Sequence, residues 1–396
     1  MHGWAYKEPF SFNNGTSIVT TQTLDQAVNV FLPNLKVDQL QPNEQVNARN
    51  LTSAILSLPQ DDVQLEFYLD VEPGQNFTSL DWTARLIWPQ LTDARGEFDG
   101  FIALPVTPPG ESASWLPDGS QTNSITRLDV HTNGTDTGNS TAYLVPPEGV
   151  IILSDIDDVL RVTKIWAPSE GLLNTFARDF TPWLNMPERF AEWSQQSSGR
   201  PYHFHYLTTT PEQATRKYMD FIYTHYPLGS FDTRSLNFTT VDQTFNVRKS
   251  LIDKIVQTFP QRKFILIGDT SNSDVMTDYP AAAKQYGNIQ CILIRNSSAS
   301  DSTMNWPYNT AGFRDLNGKF MFFRTPDDLA GLNFANGDCV NGSVPMNVTY
   351  AWQNLPFGLS ISGASHNEGG KGARPGVEKV WWVLMVAAAT AWWGIC

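Results

Sequence analysis

The sequence predicts an α/β protein, in which a doubly wound parallel sheet follows an N-terminal domain resembling a β-sandwich. Short apolar segments alternate with helical ones after about residue 148, whereas strands separated by turns are predicted over residues 15–146. A chain of 396 residues is long enough for two domains. We predict domains over residues 1–146 and 147–355, a Gly-rich linker at 356–379 and a hydrophobic tail at 380–396.

The N-terminal domain is predicted from segments rich in branched and aromatic residues, namely "VQLEFYLDV", "WTARLIWPQL" and "FDGFIALPV". Polar turn sequences such as "DARGE" and "LPDGS" separate them. Antiparallel strands of this kind pair into two packed sheets. No group of potentially catalytic side chains occurs here, so we assign this domain no chemistry.

The second domain is predicted from four apolar segments, "GVIIL", "HFHYL", "KFILIG" and "QCILIR", which are typical of buried parallel strands. Helical sequences separate them. One is expected to begin with Thr210 as its N-cap, Pro211 at the first helical position and Gln213 completing a capping box, and another carries apolar residues on one face of "SLIDKIVQTF". This alternation predicts the doubly wound sheet.

Charge narrows the possible partners. The formal net charge is −13, which argues against nucleic-acid binding and against non-specific attraction to anionic membranes. The charge alone identifies no substrate and leaves the oligomeric state open.

Polar residues follow the predicted strands at the edge where ligands bind in such sheets. Asp155 and Asp157 follow "GVIIL" in a D-x-D-x-V pattern, and Thr208 follows "HFHYL". Asp269 and Asp274 come after "KFILIG", and Lys249 lies at the start of the helix before that strand.

This set of residue types suits phosphoryl transfer. Several carboxylates at one edge repel one another unless a divalent cation lies among them, and Mg²⁺ prefers oxygen ligands and phosphate. A hydroxyl and a lysine supply donors for phosphoryl oxygens, and one aspartate can act as the nucleophile. Each residue alone also has a structural interpretation, for example a turn aspartate or a solvated lysine. Their order along the chain favours the catalytic interpretation.

Four segments carry a resemblance to a known family: "SDIDDVL", "FHYLTTTPEQ", "YPLGSFDTR" and "FPQRKFILIGDTSNSDVMTDYP". Over roughly residues 148–330 the chain resembles the actin-patch type phosphatidate phosphatase catalytic domain, within the haloacid dehalogenase superfamily. The resemblance implies a haloacid dehalogenase-like fold and Mg²⁺-dependent hydrolysis of phosphatidate to diacylglycerol.

The resemblance also implies residue roles. Asp155 would be the nucleophile, Asp157 the general acid and base, and Thr208 and Lys249 the groups that hold the phosphoryl oxygens. Asp269 would bind Mg²⁺ with Asp155 and the backbone carbonyl of Asp157, and Asp274 would complete or orient that shell. Asp158 would be a turn residue.

Departures from the family pattern leave the substrate open. Val159 replaces a threonine, Thr208 replaces a serine, and "GDTSNSD" lacks the usual glycine and acidic residue. The segment 160–200 corresponds in position to the superfamily's cap and is rich in Trp and Phe. Its aromatic side chains are expected to form core packing, with contact to acyl chains as the alternative.

The chain ends and the glycosylation motifs predict a secreted or cell-surface protein. The apolar segment "VWWVLMVAAATAWWGIC" follows a small, polar spacer, which favours a GPI-attachment signal over a cytosolic tail anchor. N-x-[ST] motifs suit a glycoprotein, whereas "MHGWAYKEPF" shows no signal peptide, so we expect a truncated or misassigned start. The motifs occur at Asn14, Asn50, Asn76, Asn133, Asn139, Asn237, Asn296, Asn341 and Asn347.

Three cysteines, Cys291, Cys339 and Cys396, are too few for a disulfide framework. We expect Cys291 to be a buried thiol, with a Cys291–Cys339 disulfide as the alternative.

Two further functions stay open at this stage. The first is hydrolysis of a non-lipid phosphomonoester. The second is a non-catalytic cell-surface protein in which the phosphatase-like domain serves as a scaffold.

Overall fold

A computed structural model describes residues 1–7, 21–33, 35–71, 84–103, 124–132, 140–196, 201–234, 247–346 and 348–355. The predicted linker and hydrophobic tail lie outside these ranges, as does Cys396. No helix within the described ranges is long and apolar enough to cross a membrane.

The chain contains strands and helices in alternation, with the antiparallel strands mainly in its first part. The strands are β1 (His2–Trp4), β2 (Tyr6–Lys7), β3 (Leu58–Pro59), β4 (Gln64–Val71), β5 (Ala84–Leu91), β6 (Glu97–Asp99), β7 (Thr126–Thr132), β8 (Ser140–Leu144), β9 (Gly149–Asp155), β10 (His203–Pro211), β11 (Gly229–Arg234), β12 (Arg262–Asp269), β13 (Ile289–Arg295), β14 (Tyr308–Asn309), β15 (Phe320–Phe323) and β16 (Trp352–Gln353). The α-helices are α1 (Thr21–Phe31), α2 (Pro42–Ile55), α3 (Pro168–Phe176), α4 (Met186–Gln195), α5 (Thr215–His225), α6 (Val247–Thr258), α7 (Ser273–Gln285) and α8 (Ser297–Ser300).

The central sheet has six parallel strands in the order β11-β10-β9-β12-β13-β15, which confirms the predicted parallel α/β core. Its strands are apolar on both faces because helices cover both. Val150 and Ile152 pack into a core with α3, α4 and α5, whereas Ile151 and Leu153 pack with α6 and α7. This order places β9 between β10 and β12 in the middle of the sheet.

The N-terminal region differs from the prediction. Residues 21–55, predicted to be β-rich, contain the helices α1 and α2. Leu24, Val28 and Phe31 recur at helical spacing and are buried, and Phe31 stacks on Phe176 of α3 with ring centroids 5.1 Å apart. This helical pair therefore packs onto the α/β domain.

A four-stranded antiparallel sheet, β5-β4-β7-β8, lies between the helical pair and the α/β domain in the chain. Its apolar side chains, including Phe67, Trp88 and Leu128, form a separate small core. Within the described residues the remaining N-terminal strands form only two-stranded pairs, β1-β6 and β2-β3, so a two-sheet sandwich is not confirmed.

Cys291 of β13 forms a disulfide with Cys339, with their Cα atoms 5.3 Å apart. The expectation of a free thiol at Cys291 is therefore wrong, although its predicted burial is correct. The bond ties the last part of the domain to a central strand.

Candidate active site

The middle strand β9 ends at Asp155, and its two neighbours bring polar residues to the same edge. Leu207 of β10 pairs with Asp155, so Thr208 lies one residue beyond it. On the other side, Ile267 of β12 pairs with Ser154, and β12 ends at Asp269. The structure thus places these three predicted residues at one edge, as parallel strands require.

Asp155 is almost completely buried, at 1% exposure. Its Oδ1 accepts a hydrogen bond from the Ile156 amide at 2.9 Å, while Oδ2 lies 3.0 Å from Nη2 of Arg248 and 3.3 Å from Nδ2 of Asn272. Burial raises the pKa of Asp155 to about 6; Arg248 opposes this rise and Asp157 adds to it. Asp155 is therefore a buried carboxyl that faces a cation.

That cation comes from Arg248 rather than from Lys249. Both residues lie in the first turn of α6, but Lys249 is partly exposed and forms an ion pair with Asp253. Arg248 is buried at 1% exposure; its Nη2 forms the ion pair with Asp155, whereas Nε and Nη1 have no hydrogen-bond partner within the described residues. A buried guanidinium with unused donors is arranged to bind an oxyanion.

The carboxylate of Asp157 accepts hydrogen bonds from several elements. Oδ1 accepts from Nε of Arg161 at 2.8 Å, from Oγ1 of Thr163 at 2.7 Å and from the Tyr218 hydroxyl at 2.9 Å. Oδ2 accepts from Oγ1 of Thr208 at 3.2 Å and from the Tyr218 hydroxyl at 3.0 Å. The structure therefore brings Asp157 and Thr208 together, as predicted.

The charge of Arg161 lowers the pKa of Asp157. Burial acts to raise the pKa of Asp157, but the Arg161 charge and the hydrogen bonds from Thr163, Arg161 and Tyr218 hold this pKa below its usual range. The sequence interpretation missed Arg161 and Tyr218. The spacing of Asp157 and Arg161, four residues apart, was the one available signal for that pair.

Asp269 is fully buried and only partly satisfied. Its Oδ1 accepts hydrogen bonds from the Ser271 amide at 2.6 Å, from the Ser271 hydroxyl and from the Ser297 hydroxyl at 3.1 Å, whereas Oδ2 has no partner in the part of the chain that the structure describes. Burial raises the pKa of Asp269, and the negative charges of Asp158 and Asp155 raise it further. An unpartnered buried carboxylate oxygen beside other acids suits a bound cation.

Asp274 and Asn272 lie where β12 leads into α7. Asn272 caps that helix by accepting a hydrogen bond from the Asp274 amide at 3.2 Å, and its side-chain amide also donates to Asp155. Burial lowers the pKa of Arg248. The negative charge of Asp155 raises this pKa, and that of Asp274 raises it by a smaller amount. Asp274 therefore lies near the site cation.

Asp158 is the turn residue that was expected, with a left-handed φ of 56°. Its buried carboxylate accepts hydrogen bonds from the amides of Thr163, Lys164 and Ile165 at 2.7–3.1 Å. Because of these bonds, the segment after β9 folds back over the edge of the sheet. Arg161 and Thr163 therefore contact Asp157.

Comparison with known proteins assigns the α/β core to a family. The sequence model described as "Phosphatidate phosphatase APP1, catalytic domain" matches residues 150–296. Residues 150–296 belong to this catalytic-domain family. The chain is also similar to Phosphatidate phosphatase APP1 of Saccharomyces cerevisiae, with 28% identity over 169 residues, which are 41% of this chain and 28% of that relative.

The matched range contains Asp155, Thr208, Arg248 and Asp269 and therefore the whole edge described above. Strand β15, the disulfide partner Cys339 and the N-terminal sheet lie outside it. The chain spans only about a quarter of the length of the yeast relative, so that protein's activity does not transfer to the whole chain without a test.

The predicted metal ligands are only partly assembled. Among the described residues, no three His, Cys, Asp or Glu side chains are grouped so that they could hold a metal ion. Asp155 and Asp269 are both buried at the ends of neighbouring strands, whereas Asp157 is paired with Arg161 and Asp274 lies near Arg248. The metal-binding role of these four residues stays a prediction.

The cap segment after β9 packs inward. Trp183, Phe190 and Trp193 are 5% exposed or less and belong to the core beneath α3 and α4. The core-packing interpretation of these aromatic residues is therefore confirmed, and they offer no surface for an acyl chain. Leu184, at 60% exposure, is the large apolar exception in this segment.

Proposed function

We propose that the chain is a Mg²⁺-dependent phosphatase that hydrolyses a phosphomonoester through an aspartyl-phosphate, with phosphatidate as the first substrate. The observation that carries the proposal is the pair formed by Asp155 and Arg248. A buried carboxylate faces a guanidinium whose other nitrogens have no hydrogen-bond partner among the residues that the structure describes, at the ligand-binding edge of the sheet.

In the first step, the Asp155 carboxylate attacks phosphorus and the bond from phosphorus to the ester oxygen breaks. Arg248 and the hydroxyl of Thr208 hold the phosphoryl oxygens, and Asp157 supplies the proton to the departing alcohol. In the second step, water attacks the phosphoryl group on Asp155 and gives a proton to Asp157. Inorganic phosphate then leaves and the Asp155 carboxylate is restored.

Asp155, Asp269 and the backbone carbonyl of Asp157 would hold Mg²⁺, with Asp274 completing or orienting the shell. Bound Mg²⁺ would neutralise charge on the phosphoryl group. The unpartnered Oδ2 of Asp269 and the oxygen-only donor set support this assignment. Two carboxylates and one carbonyl leave positions for water and phosphate, which is usual for Mg²⁺.

Phosphatidate is proposed because the family model and the yeast relative carry that name. The inward packing of the cap aromatics gives no additional support for a lipid, so a water-soluble phosphomonoester is the second candidate. A non-catalytic surface protein is the third.

Phosphate release from phosphatidate in mixed micelles tests the proposal, with Asp155→Asn as the control and with Mg²⁺ or chelator. We expect metal-dependent release by the parent and a loss of at least about a thousandfold in Asp155→Asn, because the amide is a poor nucleophile. Release from an aryl phosphate alone would retain the mechanism and reject the lipid substrate. No release from either would favour the non-catalytic alternative.

Mg²⁺ binding should depend on pH in a defined direction. The pKa of Asp155 is raised to about 6 and that of Asp269 to about 7, so protons compete with a cation for these carboxyls much more at pH 5 than at pH 7.5. A raised carboxyl pKa destabilises the folded, metal-free protein as pH rises from the unfolded value near 4 to the folded value.

We therefore expect about 10 mM Mg²⁺ to raise Tm by several degrees at pH 7.5 and by little at pH 5. Differential scanning fluorimetry with Mg²⁺ or chelator measures this without relying on activity. Asp269→Asn should abolish the difference, and an equal Tm with and without Mg²⁺ at pH 7.5 would contradict the metal assignment.

We also propose that the protein is secreted or displayed at the cell surface and held by its C-terminal tail. The Cys291–Cys339 disulfide supports an oxidising compartment, and the Asn50 motif lies on an exposed position of α2. Endoglycosidase treatment of native protein should increase its electrophoretic mobility, and Asn50→Gln should reduce that shift. Unchanged mobility would favour the cytosolic tail-anchored alternative.

A further inference from the structure

Arg234 is a partly buried arginine without a partner among the residues that the structure describes. It is the last residue of β11 and pairs in the central sheet with Pro211 of β10. Its Nε is buried, and no described group accepts a hydrogen bond from it or lies within ion-pair distance of its guanidinium. By contrast, the fully buried arginines near this edge each bind a carboxylate or a carbonyl, namely Arg161, Arg248 and Arg295. Because a cation in a protein interior is normally paired, the missing acceptor at Arg234 indicates a ligand.

Arg234 lies at the catalytic edge of the sheet, on the face that α6 covers. Asp232, two residues earlier on β11 and therefore on the same face, pairs with Leu207, which packs against α6. The first turn of that helix carries Arg248. Strand β11 is two strands away from β9, and neighbouring strands are about 4.8 Å apart, so Arg234 lies roughly 10 Å to the side of Asp155. A group bound at Arg234 is therefore distinct from the phosphoryl group at Asp155.

Two carboxylates lie near Arg234 but do not occupy its donors. Burial lowers the pKa of Arg234, and the charges of Glu212 and Asp274 offset only part of this effect. Glu212 follows β10 directly, and its Oε1 accepts a hydrogen bond from Nε2 of Gln213 at 2.9 Å. The charge of Asp274 also raises the pKa of Arg248, so the two arginines lie on either side of this acid. Arg234 is thus a cation whose donors stay available to an oxyanion.

The overall charge of the chain makes a specific cation necessary for recognising anions. With a formal net charge of −13, the surface as a whole repels anionic molecules. Recognition of an anion then depends on single arginines placed where the ligand binds, because a guanidinium presents several donors to one oxyanion.

We propose that Arg234 binds a second oxyanion, a phosphate or carboxylate group, beside the phosphoryl group that is hydrolysed. This inference rests on the proposed phosphatase function. Phosphatidate has one phosphate, so at a lipid surface the second oxyanion is the headgroup of a neighbouring anionic lipid. A water-soluble phosphomonoester would carry it on the same molecule. The two sources share one chemistry and correspond to the two substrate classes.

The lipid arm of the test measures phosphate release from dilute phosphatidate in neutral detergent micelles, with and without phosphatidylglycerol. Phosphatidylglycerol supplies a phosphodiester anion and contains no phosphomonoester to hydrolyse. We expect it to lower the apparent KM for phosphatidate about fivefold in the parent and less than about twofold in Arg234→Met, because the variant has no donor for the second headgroup.

The soluble arm compares KM for 4-carboxyphenyl phosphate with KM for phenyl phosphate. Both esters release a phenolate, and they differ in the carboxylate across the ring. If the second oxyanion belongs to the substrate itself, the carboxylate lowers KM about tenfold in the parent, and Arg234→Met removes this difference. Equal KM values for the two esters, together with an effect of phosphatidylglycerol that needs Arg234, assign the oxyanion to a neighbouring lipid.

Arg216→Met is the matched control, because Arg216 is an exposed arginine in the first turn of α5, shortly after β10. It removes the same charge and therefore measures general attraction to anions. Arg234→Lys keeps the charge without the planar fork and should recover part of the effect on KM. Arg234 has no partner to lose within the described residues, so Tm of Arg234→Met should equal or exceed that of the parent. A purely structural role would instead lower Tm and leave the KM comparisons unchanged.

The outcomes separate this inference from the proposed function. If neither anion lowers KM in the parent, or if Arg234→Met keeps every effect that the parent shows, the oxyanion site is rejected and the phosphatase function stands. An equal loss in Arg216→Met also rejects the site. If the parent releases no more phosphate than Asp155→Asn from any of these esters, the phosphatase function is rejected and the site is rejected with it.

Discussion

Replacing Arg248 with methionine is expected to lower kcat for phosphate release by about a hundredfold to a thousandfold, whereas Lys249→Met should change kcat by less than about twofold. The reason is electrostatic. Arg248 lies 3.0 Å from the Asp155 carboxylate and has unused donors, so it can stabilise the charge that spreads over the phosphoryl oxygens. Lys249 forms its ion pair with Asp253, on the exposed side of α6.

The two variants are a matched pair because they remove one positive charge from consecutive positions of the same helix. Loss of Arg248 also leaves Asp155 buried without its counter-charge, so Tm is measured beside kcat. Arg248→Lys keeps a charge but loses the planar fork, and we expect it to recover only part of the rate. A large loss in Lys249→Met with a normal Arg248→Met would contradict the site described here.

Helical periodicity explains why Lys249 was chosen from the sequence and why Arg248 occupies the site. Arg248, Ile252 and Ile255 follow one another at spacings of four and three residues, and all three are buried. Lys249 lies on the same side as Asp253, its partly exposed partner. The apolar face of α6 therefore identifies Arg248 as the inward-facing cation, whereas the order of residue types along the chain indicates Lys249.

The parallel sheet and its catalytic edge could be predicted because their signals are local. A run such as "GVIIL" is apolar at every position, which only a strand covered on both faces tolerates, and the acids follow directly from the strand ends. The prediction of one β-rich region over residues 15–146 is wrong for the helices α1 and α2. The spacing of Leu24, Val28 and Phe31 was the overlooked helical signal.

Arg161 and Tyr218 could not be assigned to the site from the sequence because their roles depend on tertiary contacts. Tyr218 belongs to α5, 61 residues beyond Asp157, and reaches it only because α5 packs beside the end of β10. A tyrosine at an apolar helical position predicts core packing, and nothing local shows that its hydroxyl meets a carboxylate.

The free energy of unfolding should depend strongly on another buried arginine, Arg262. It lies at the edge of the central sheet opposite the candidate active site. Its buried guanidinium donates to four backbone carbonyls at 2.6–3.1 Å, those of Pro146, Glu148, Val150 and Pro201. Arg262→Met would leave these acceptors without a donor in the interior. We expect a loss of about 4 kcal/mol in the free energy of unfolding, from about 1 kcal/mol or more for each unsatisfied carbonyl.

Chemical denaturation and Tm measure this loss, and Lys263→Met is the matched control, because Lys263 is the exposed neighbour on β12. Arg262 lies at the start of β12, whereas Asp269 ends that strand, so kcat of folded Arg262→Met at low temperature should resemble that of the parent. A stability equal to that of Lys263→Met would show that water or backbone shifts satisfy the carbonyls without the guanidinium.

The residue next to these carbonyls provides an independent check of the same contact. Gly149 has a φ of +131°, and a Cβ added there would lie 2.7 Å from Nη2 of Arg262. Gly149→Ala therefore combines an unfavourable backbone conformation with displacement of the guanidinium, and it should lower Tm in the parent. In the Arg262→Met background the flexible methionine can move aside, so only the backbone cost remains and the two substitutions should destabilise by less than their sum.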